Sequence, residues 1–333
     1  AAIISNYDEL LSDGNIFLKI QVVCLQDGML EIVDPIKKGS VIIGFMGPFK
    51  YIHNIQALAE RELSTFSMEL VPRISRAQRM DALSAMSSAA GYKAVLLAAS
   101  TLNKFFPLMM TAAGTISPAN ILVIGAGVAG LQAIATAKRL GARVKAFDTR
   151  PVVKEQVESL GAEFVSLETS EEAQANSGYA EEKSEDFYRH EHVIISEHLQ
   201  TTDAVITTAQ IFGKRAPLLI TEEMVQTMRY GSVIVDLAAE QGGNCELTVP
   251  GKNVERHGVN ILSPLDLPSS LSYHTSEMFS RNVTALLSEM LDNGELNIDL
   301  DDEVISGTIL THEGKIMNQH VIDLLDRDKE ENS

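Results

Sequence analysis

The stretch Asn120–Asp148, NILVIGAGVAGLQAIATAKRLGARVKAFD, decides the fold. It opens on an apolar run, passes through Gly125-Ala126-Gly127-Val128-Ala129-Gly130, continues as alanine-rich helical sequence and closes on ARVKAFD. A glycine triplet at this spacing is weak evidence by itself, because glycines recur in turns. Between an apolar strand and a helix it has the context of a phosphate-cradling turn. Gly125 permits the tight turn, Gly127 lets a pyrophosphate approach the backbone, and Gly130 lets helix and sheet pack closely. The helix N-terminus adds free N–H groups and the positive end of a dipole.

Asp148 ends the next strand, 18 residues beyond Gly130. A carboxylate there accepts hydrogen bonds from an adenosine ribose and repels a 2′-phosphate, which favours NAD(H) over NADP(H). Arg150, two residues on, holds the opposite reading open, since an arginine can carry that phosphate. The run 121–137 has the apolarity of a membrane span but is short and holds three glycines, so it reads as strand, turn and helix.

Outward from this unit the same rhythm recurs. Strands are expected at 120–125, 143–148, 162–167, 203–208, 232–237 and 259–264, with helices at 128–140, 151–160 and 221–229. Upstream, NIFLKIQVV (15–23), SVIIGFM (40–46) and FSMELV (66–71) read as strands, with a helix at 54–63 between the last two. With a strand opening the chain, an earlier unit is expected to be missing. Met80–Met110 reads as a long apolar helix interrupted by Gly91, and 273–291 as a second long helix. The expectation is an α/β protein: two doubly wound, parallel-sheet lobes with a cleft between them, linked by long helices. The lobes are placed at 1–83 plus 268–333 and at 84–267. One insert, about 168–200, is too long for an ordinary connection and is acidic. It reads either as a disordered surface insert or as a mobile lid with Tyr179 at its tip.

The bulk figures narrow the function classes. A chain of 333 residues with net charge −18 has room for two cores and argues against nucleic acid. Cys24 and Cys245 are distant in sequence and make no disulfide framework, which points to a reducing compartment. AAIISNYDEL carries neither the basic start nor the apolar stretch of a signal peptide. His190 and His192 diverge on a helix and no further ligand has metal spacing, so no metal is expected. Cys245 reads as a packed residue and no histidine sits in a triad pattern.

PRISRAQRMDALS (72–84) concentrates Arg73, Arg76 and Arg79 with Gln78, Asp81 and Ser84 in an otherwise acidic chain. Spaced by three, Gln78, Asp81 and Ser84 would share one helical face. Such a set supplies the donors and acceptors that read a carboxamide. The plainer reading is a capped helix start with a solvated basic face.

VPRISRAQRMDALSAMSSAAGYKAVLLAA (71–99) and the segment 123–164 together resemble the NAD(H)-binding component, domain I, of the proton-translocating nicotinamide nucleotide transhydrogenases. GYA (178–180), TTAQIFGKRAPLLIT (207–221) and GSVIVDLAAEQGGNCELTVPG (231–251) extend the resemblance over most of the chain. It implies that Arg73, Gln78, Asp81 and Ser84 hold the nicotinamide, with Ile74, Ser75 and Arg76 beside them, and that Gln78 reaches the partner's nicotinamide. It implies cofactor contacts at Val128, Asp148, Thr149, Arg150, Gly178, Tyr179, Glu191, Ala209 and Gln210. Also implied are a homodimer, NADP(H) on a partner domain, and a membrane domain that moves protons. The chain itself would be a soluble domain peripheral to a membrane, on the cytoplasmic or mitochondrial-matrix side. Gln210 departs from the family's aliphatic residue, and the family's first βα segment has no counterpart before AAIISN.

The related alanine dehydrogenases are the rival within the resemblance. They expect a lysine and a histidine where this chain has Gln21 and Gly47, with Lys19 nearby. A non-catalytic NAD(H) sensor is the second rival. Hydride transfer between two nicotinamides needs positioning rather than a proton acceptor, which suits the lack of acid–base groups.

Overall fold

Ile121, Leu122, Val123 and Ile124 are each at most 1% exposed. A strand can be that dry only with helices over both faces, which is the environment of a parallel sheet. The computed structural model describes residues 3–22, 36–167, 185–211 and 213–331. The chain forms two units, Ala1–Ala85 with Tyr273–Ser333, and Met86–Ser272.

In chain order, α1 (Tyr7–Asp13), β1 (Ile16–Gln21), β2 (Val41–Phe45), α2 (Ile52–Glu60) and β3 (Ser64–Ser67) begin the first unit. After α3 (Ala82–Thr101) come β4 (Met109–Thr111), β5 (Gly114–Ile116), β6 (Asn120–Ile124), α4 (Val128–Arg139), β7 (Arg143–Phe147), α5 (Lys154–Ser159) and β8 (Glu163–Val165). The second unit continues with α6 (Glu185–Leu199), β9 (Ala204–Thr207), α7 (Glu222–Gln226), β10 (Val233–Asp236), β11 (Asn253–Arg256) and β12 (Val259–Leu262). The first unit resumes with α8 (Ser272–Glu289), β13 (Leu291–Asp292), β14 (Glu295–Leu296), α9 (Glu303–Thr308), β15 (Ile309–His312), β16 (Lys315–Ile316) and α10 (Gln319–Glu331).

The second unit's main sheet runs β11-β12-β10-β9-β6-β7-β8. All its strands are parallel except the edge strand β11. Leaving β11 aside, this is the doubly wound order, with its switch point between β6 and β9. Side chains alternate across β6. Ile121 and Val123 join the core that takes in Ala94, Val95 and Ala98 of α3, while Leu122 and Ile124 face Ile195 and Leu199 of α6. The first unit's sheet is mixed, in the order β1-β2-β3-β15-β16. Its first three strands are parallel and β15 and β16 are antiparallel additions, so this sheet is less regular than the sequence rhythm suggests.

Several expectations change. A helix, α1, precedes the first strand, with the Asn6 side chain accepting from the amides of Asp8 and Glu9. The long apolar helix stops at Thr101, and Met109–Ile116 turns back as the β4–β5 hairpin. FSMELV is strand only to Ser67, then a 3₁₀ turn over Met68–Leu70. β11 joins β12 through His257 and Gly258, both at positive φ, the conformation that two-residue hairpin turns select.

The insert is not loop throughout. Its second half is α6, where Glu191, Ile195 and Leu199 recur every fourth residue on the buried side. Its first half, with Gly178 and Tyr179, lies outside the described residues, as does Cys24. α3 has the length and apolarity of a membrane span. Yet Ala94, Val95 and Ala98 pack into the sheet core, and Gly91 lies so close to the next helix that a Cβ would stand 2.1 Å from the Ala129 carbonyl oxygen.

Candidate functional site

In a parallel sheet all strands end on one edge, so the residues after β6, β7, β9 and β10 gather beside the switch point. The glycine turn follows β6. Gly125 has φ +97°, and a Cβ on Gly130 would lie 1.8 Å from the Gly125 carbonyl oxygen. At Gly127 a Cβ would meet no atom within 4 Å, so the space beside the turn is open. No side chain caps α4 at Gly127, and the first amides of any helix lack intrahelical partners. This arrangement fits the phosphates of a dinucleotide. Val128 is partly exposed on the first turn of α4.

Asp148 follows β7 and is buried. Its Oδ2 accepts from the Ala126 amide at 2.7 Å, which ties strand end to glycine turn. Arg150 closes on the same carboxylate through its amide, Nε and Nη2. Burial pushes the Asp148 carboxyl up, but the Arg150 hydrogen bond and the amides of Ala126 and Arg150 outweigh it and hold the group below the usual carboxylate range. Thr149 is half-buried between the two.

After β9, Thr208 Oγ1 donates to the Gly125 carbonyl at 2.9 Å. Ala209 exchanges two hydrogen bonds with the Asn244 side chain, at 3.1 and 2.9 Å. Gln210 is exposed and its Nε2 donates to the Leu237 carbonyl at 2.8 Å. Glu191 is buried on α6.

Sequence reading missed what holds this edge. Asp236 ends an apolar strand just as Asp148 does, but it is wholly buried. It accepts from Thr207 Oγ1, Thr248 Oγ1 and the amides of Ala238, Asn244 and Cys245. It therefore orders the loop that presents Asn244 to Ala209. The only sequence signal was a second acid closing an apolar strand, and the hydrogen-bond partners separate the two.

In the first unit, Ser75–Met80 is a 3₁₀ segment that ends before α3 begins. Gln78, Asp81 and Ser84 therefore do not share one helical face. Asp81 sits at the junction and accepts from the Ser84 amide and hydroxyl, at 2.8 and 2.5 Å, so it caps α3. Arg76 makes a fork to Asp302, at 2.8 and 3.0 Å, and reaches Glu289 at 3.3 Å. The Asp302 hydrogen bond raises the Arg76 pKa, and the same bond lowers that of Asp302. Arg79 pairs with Glu289 at 2.9 Å. Two of the three arginines thus brace the chain rather than form a solvated basic face. Arg73 and Gln78 are exposed, and no side-chain hydrogen bond engages either among the described residues. Ile74 is half-buried and Ser75 exposed. No three His, Cys, Asp or Glu side chains among the described residues converge as metal ligands would.

Two family models cover the chain: alanine dehydrogenase/PNT, N-terminal domain, over residues 1–90, and its C-terminal domain over 94–319. The chain belongs to the alanine dehydrogenase/PNT family. It is 46% identical over 310 residues to the first part of the NAD(P) transhydrogenase subunit alpha of Rickettsia prowazekii (strain Madrid E), covering 93% of this chain and 80% of that protein. The protein of the same name from Rhodospirillum rubrum is 45% identical over 322 residues, covering 96% and 84%. The crystal structure of transhydrogenase from Sinorhizobium meliloti matches with TM-score 0.82 at 40% identity, over 93% of this chain and 83% of that one.

Within the alanine dehydrogenase/PNT family, position 47 bears on which branch this chain follows. Gly47 has φ +56°, and a Cβ there would lie 2.7 Å from the Tyr51 ring. Its amide and that of Met46 both donate to the Glu69 carboxylate, at 2.8 and 3.0 Å. A histidine at this backbone position would be strained.

Proposed function

We propose that this chain is the NAD(H)-binding component of a proton-translocating transhydrogenase. It presents NADH for direct hydride transfer to NADP⁺ on a separate NADP(H)-binding domain, and a membrane domain couples the transfer to proton movement. The observation that carries the proposal is Asp148 at the end of β7, joined to the glycine turn by the Ala126 amide. The relatives' names, which make each a portion of one subunit, support partner subunits for this chain as well.

When bound, NADH supplies the hydride from its nicotinamide ring, and the residues of the chain hold it in position. The first amides of α4 and the open space at Gly127 receive the pyrophosphate. Asp148 receives the adenosine ribose, which favours NAD(H) over NADP(H) on this chain. Arg73, Gln78, Asp81 and Ser84 hold the nicotinamide, and Gln78, exposed and unengaged by any side-chain bond among the described residues, faces the acceptor. No proton need leave the reacting carbon, so positioning suffices and a glycine at position 47 is no loss.

The test is hydride transfer from NADH to an NADP⁺ analogue by the purified chain, with and without a transhydrogenase NADP(H)-binding domain. Rapid transfer only in the mixture, slowed by Gln78→Asn, is the expected result. NADH binding without transfer in the mixture would favour a sensor. Reduction of NAD⁺ by alanine would restore the dehydrogenase reading.

A further inference from the structure

The carboxylate that would read the ribose is already fully engaged by the chain itself. Asp148 Oδ1 accepts from the Arg150 amide at 2.9 Å and from Arg150 Nε at 3.0 Å. Oδ2 accepts from the Ala126 amide at 2.7 Å and from Arg150 Nη2 at 2.9 Å. A carboxylate offers about four in-plane acceptor sites, and these four donors take them. Two donors are backbone amides fixed by the turn and the strand end. The other two are the edge of one guanidinium. The Asp148 side chain is 6% exposed and that of Arg150 is 58% exposed, so the arginine can leave for solvent while the acid cannot.

A ribose diol presents two O–H donors at about the spacing of a guanidinium edge. It cannot add to the present arrangement; it has to replace something. The amides cannot move without dismantling the glycine turn or the end of β7, so the group displaced is the Arg150 side chain. We propose that Arg150 is an internal competitor for the adenosine ribose. Its guanidinium holds the acceptor positions on Asp148 that the diol needs, and binding exchanges one for the other. This inference rests on the NAD(H) reading above and extends it to specificity.

The exchange also bears on the 2′-phosphate. A phosphate could recruit Arg150 only by pulling it off Asp148. The buried carboxylate would then face the phosphate dianion with two amides for support. Arg150 therefore does not rescue NADP(H) binding while Asp148 keeps its charge.

NADH and NADPH titrations by nicotinamide fluorescence on the intact chain test the proposal. Arg150→Ala should bind NADH more tightly by up to about fivefold, because an exposed ion pair is worth up to about 1 kcal/mol. Arg150→Lys, which can fill only one of the two positions, should fall between and serves if the alanine variant folds poorly. Asp148→Asn should weaken NADH and strengthen NADPH, and adding Arg150→Ala should remove the NADPH gain. The sign is decisive, since a supporting or cofactor-touching arginine would lower NADH affinity when removed. Unchanged or weaker NADH binding by both Arg150 variants, with a wild-type chain that binds NADH, would overturn the competitor and leave the NAD(H) reading standing. A wild-type chain that does not bind NADH would remove both.

Discussion

Gly127 and Gly130 sit three residues apart in one motif and should fail in opposite ways when each is replaced by alanine. A Cβ on Gly130 would lie 1.8 Å from the Gly125 carbonyl oxygen and 2.9 Å from its carbon. A carbon–oxygen contact needs roughly 3.3 Å, so α4 and the end of β6 would have to part by roughly 1.5 Å. Overpacking of that kind destabilises by about 3 kcal/mol, which for a unit of this size lowers Tm by about 6–12 °C. Gly127 has φ −77° and ψ −167°, extended backbone that alanine adopts freely, and its Cβ would meet nothing within 4 Å. Stiffening the unfolded chain gains about 0.4–1 kcal/mol and losing glycine at the N-cap forfeits about 0.5–1 kcal/mol, so stability should stay within about 0.5 kcal/mol. The added methyl fills the space proposed for a phosphate. Losing one charge-assisted hydrogen bond there, about 1.5–3 kcal/mol, weakens NADH about ten- to a hundredfold. Thermal unfolding and NADH fluorescence titration on both variants give the two readouts. A Gly127→Ala chain that binds NADH normally, or melts as low as Gly130→Ala, would refute the assignment of the open space to the phosphates.

Two further outcomes follow from buried groups on the same edge. Asp236→Ala leaves the five donors that now converge on it without an acceptor in the interior. A loss of about 3–5 kcal/mol is expected in urea unfolding, and a loss under about 1 kcal/mol would show that water enters and satisfies them. Cys245 is buried, and burial pushes its thiol from 9.0 up to about 11. The folded chain therefore keeps a proton that the unfolded chain releases, so this contribution is intact below pH 9 and lost as pH rises towards 11. The loss approaches about 3 kcal/mol, on the order of 1.4 kcal/mol for each pH unit. Urea midpoints across that range should fall for the native chain and less for Cys245→Ala. At pH 8 iodoacetamide should leave the Cys245 peptide unmodified in the folded chain by mass spectrometry, and rapid labelling would contradict its burial.

Where sequence reading went astray, it did so for local reasons of different kinds. The stripe Glu191-Ile195-Leu199 that builds α6 was present in the sequence, but the acidic residues around it suggested loop. Gly91 looked like an interruption of a helix, and its reason is a helix crossing that no neighbouring residue announces. Asp81 looked like one of three groups on a ligand-facing helix. A change from 3₁₀ to α-helix at that residue breaks the shared face and makes it a cap of α3.

What the sequence by itself determined is what short-range physics encodes. Apolar runs of strand length, glycines at the strand-to-helix turn and an acid closing the next strand specify the parallel α/β unit and the place of its glycine turn, because period, turn geometry and capping all act within a few residues. The tertiary structure alone decided how the two strand-ending acids differ. Asp148 and Asp236 carry the same local signature. One is bound by its neighbour Arg150 and the turn amide, and the other is sunk among five donors. Burial and hydrogen-bond partners come from segments far apart in the chain, and no local pattern records them.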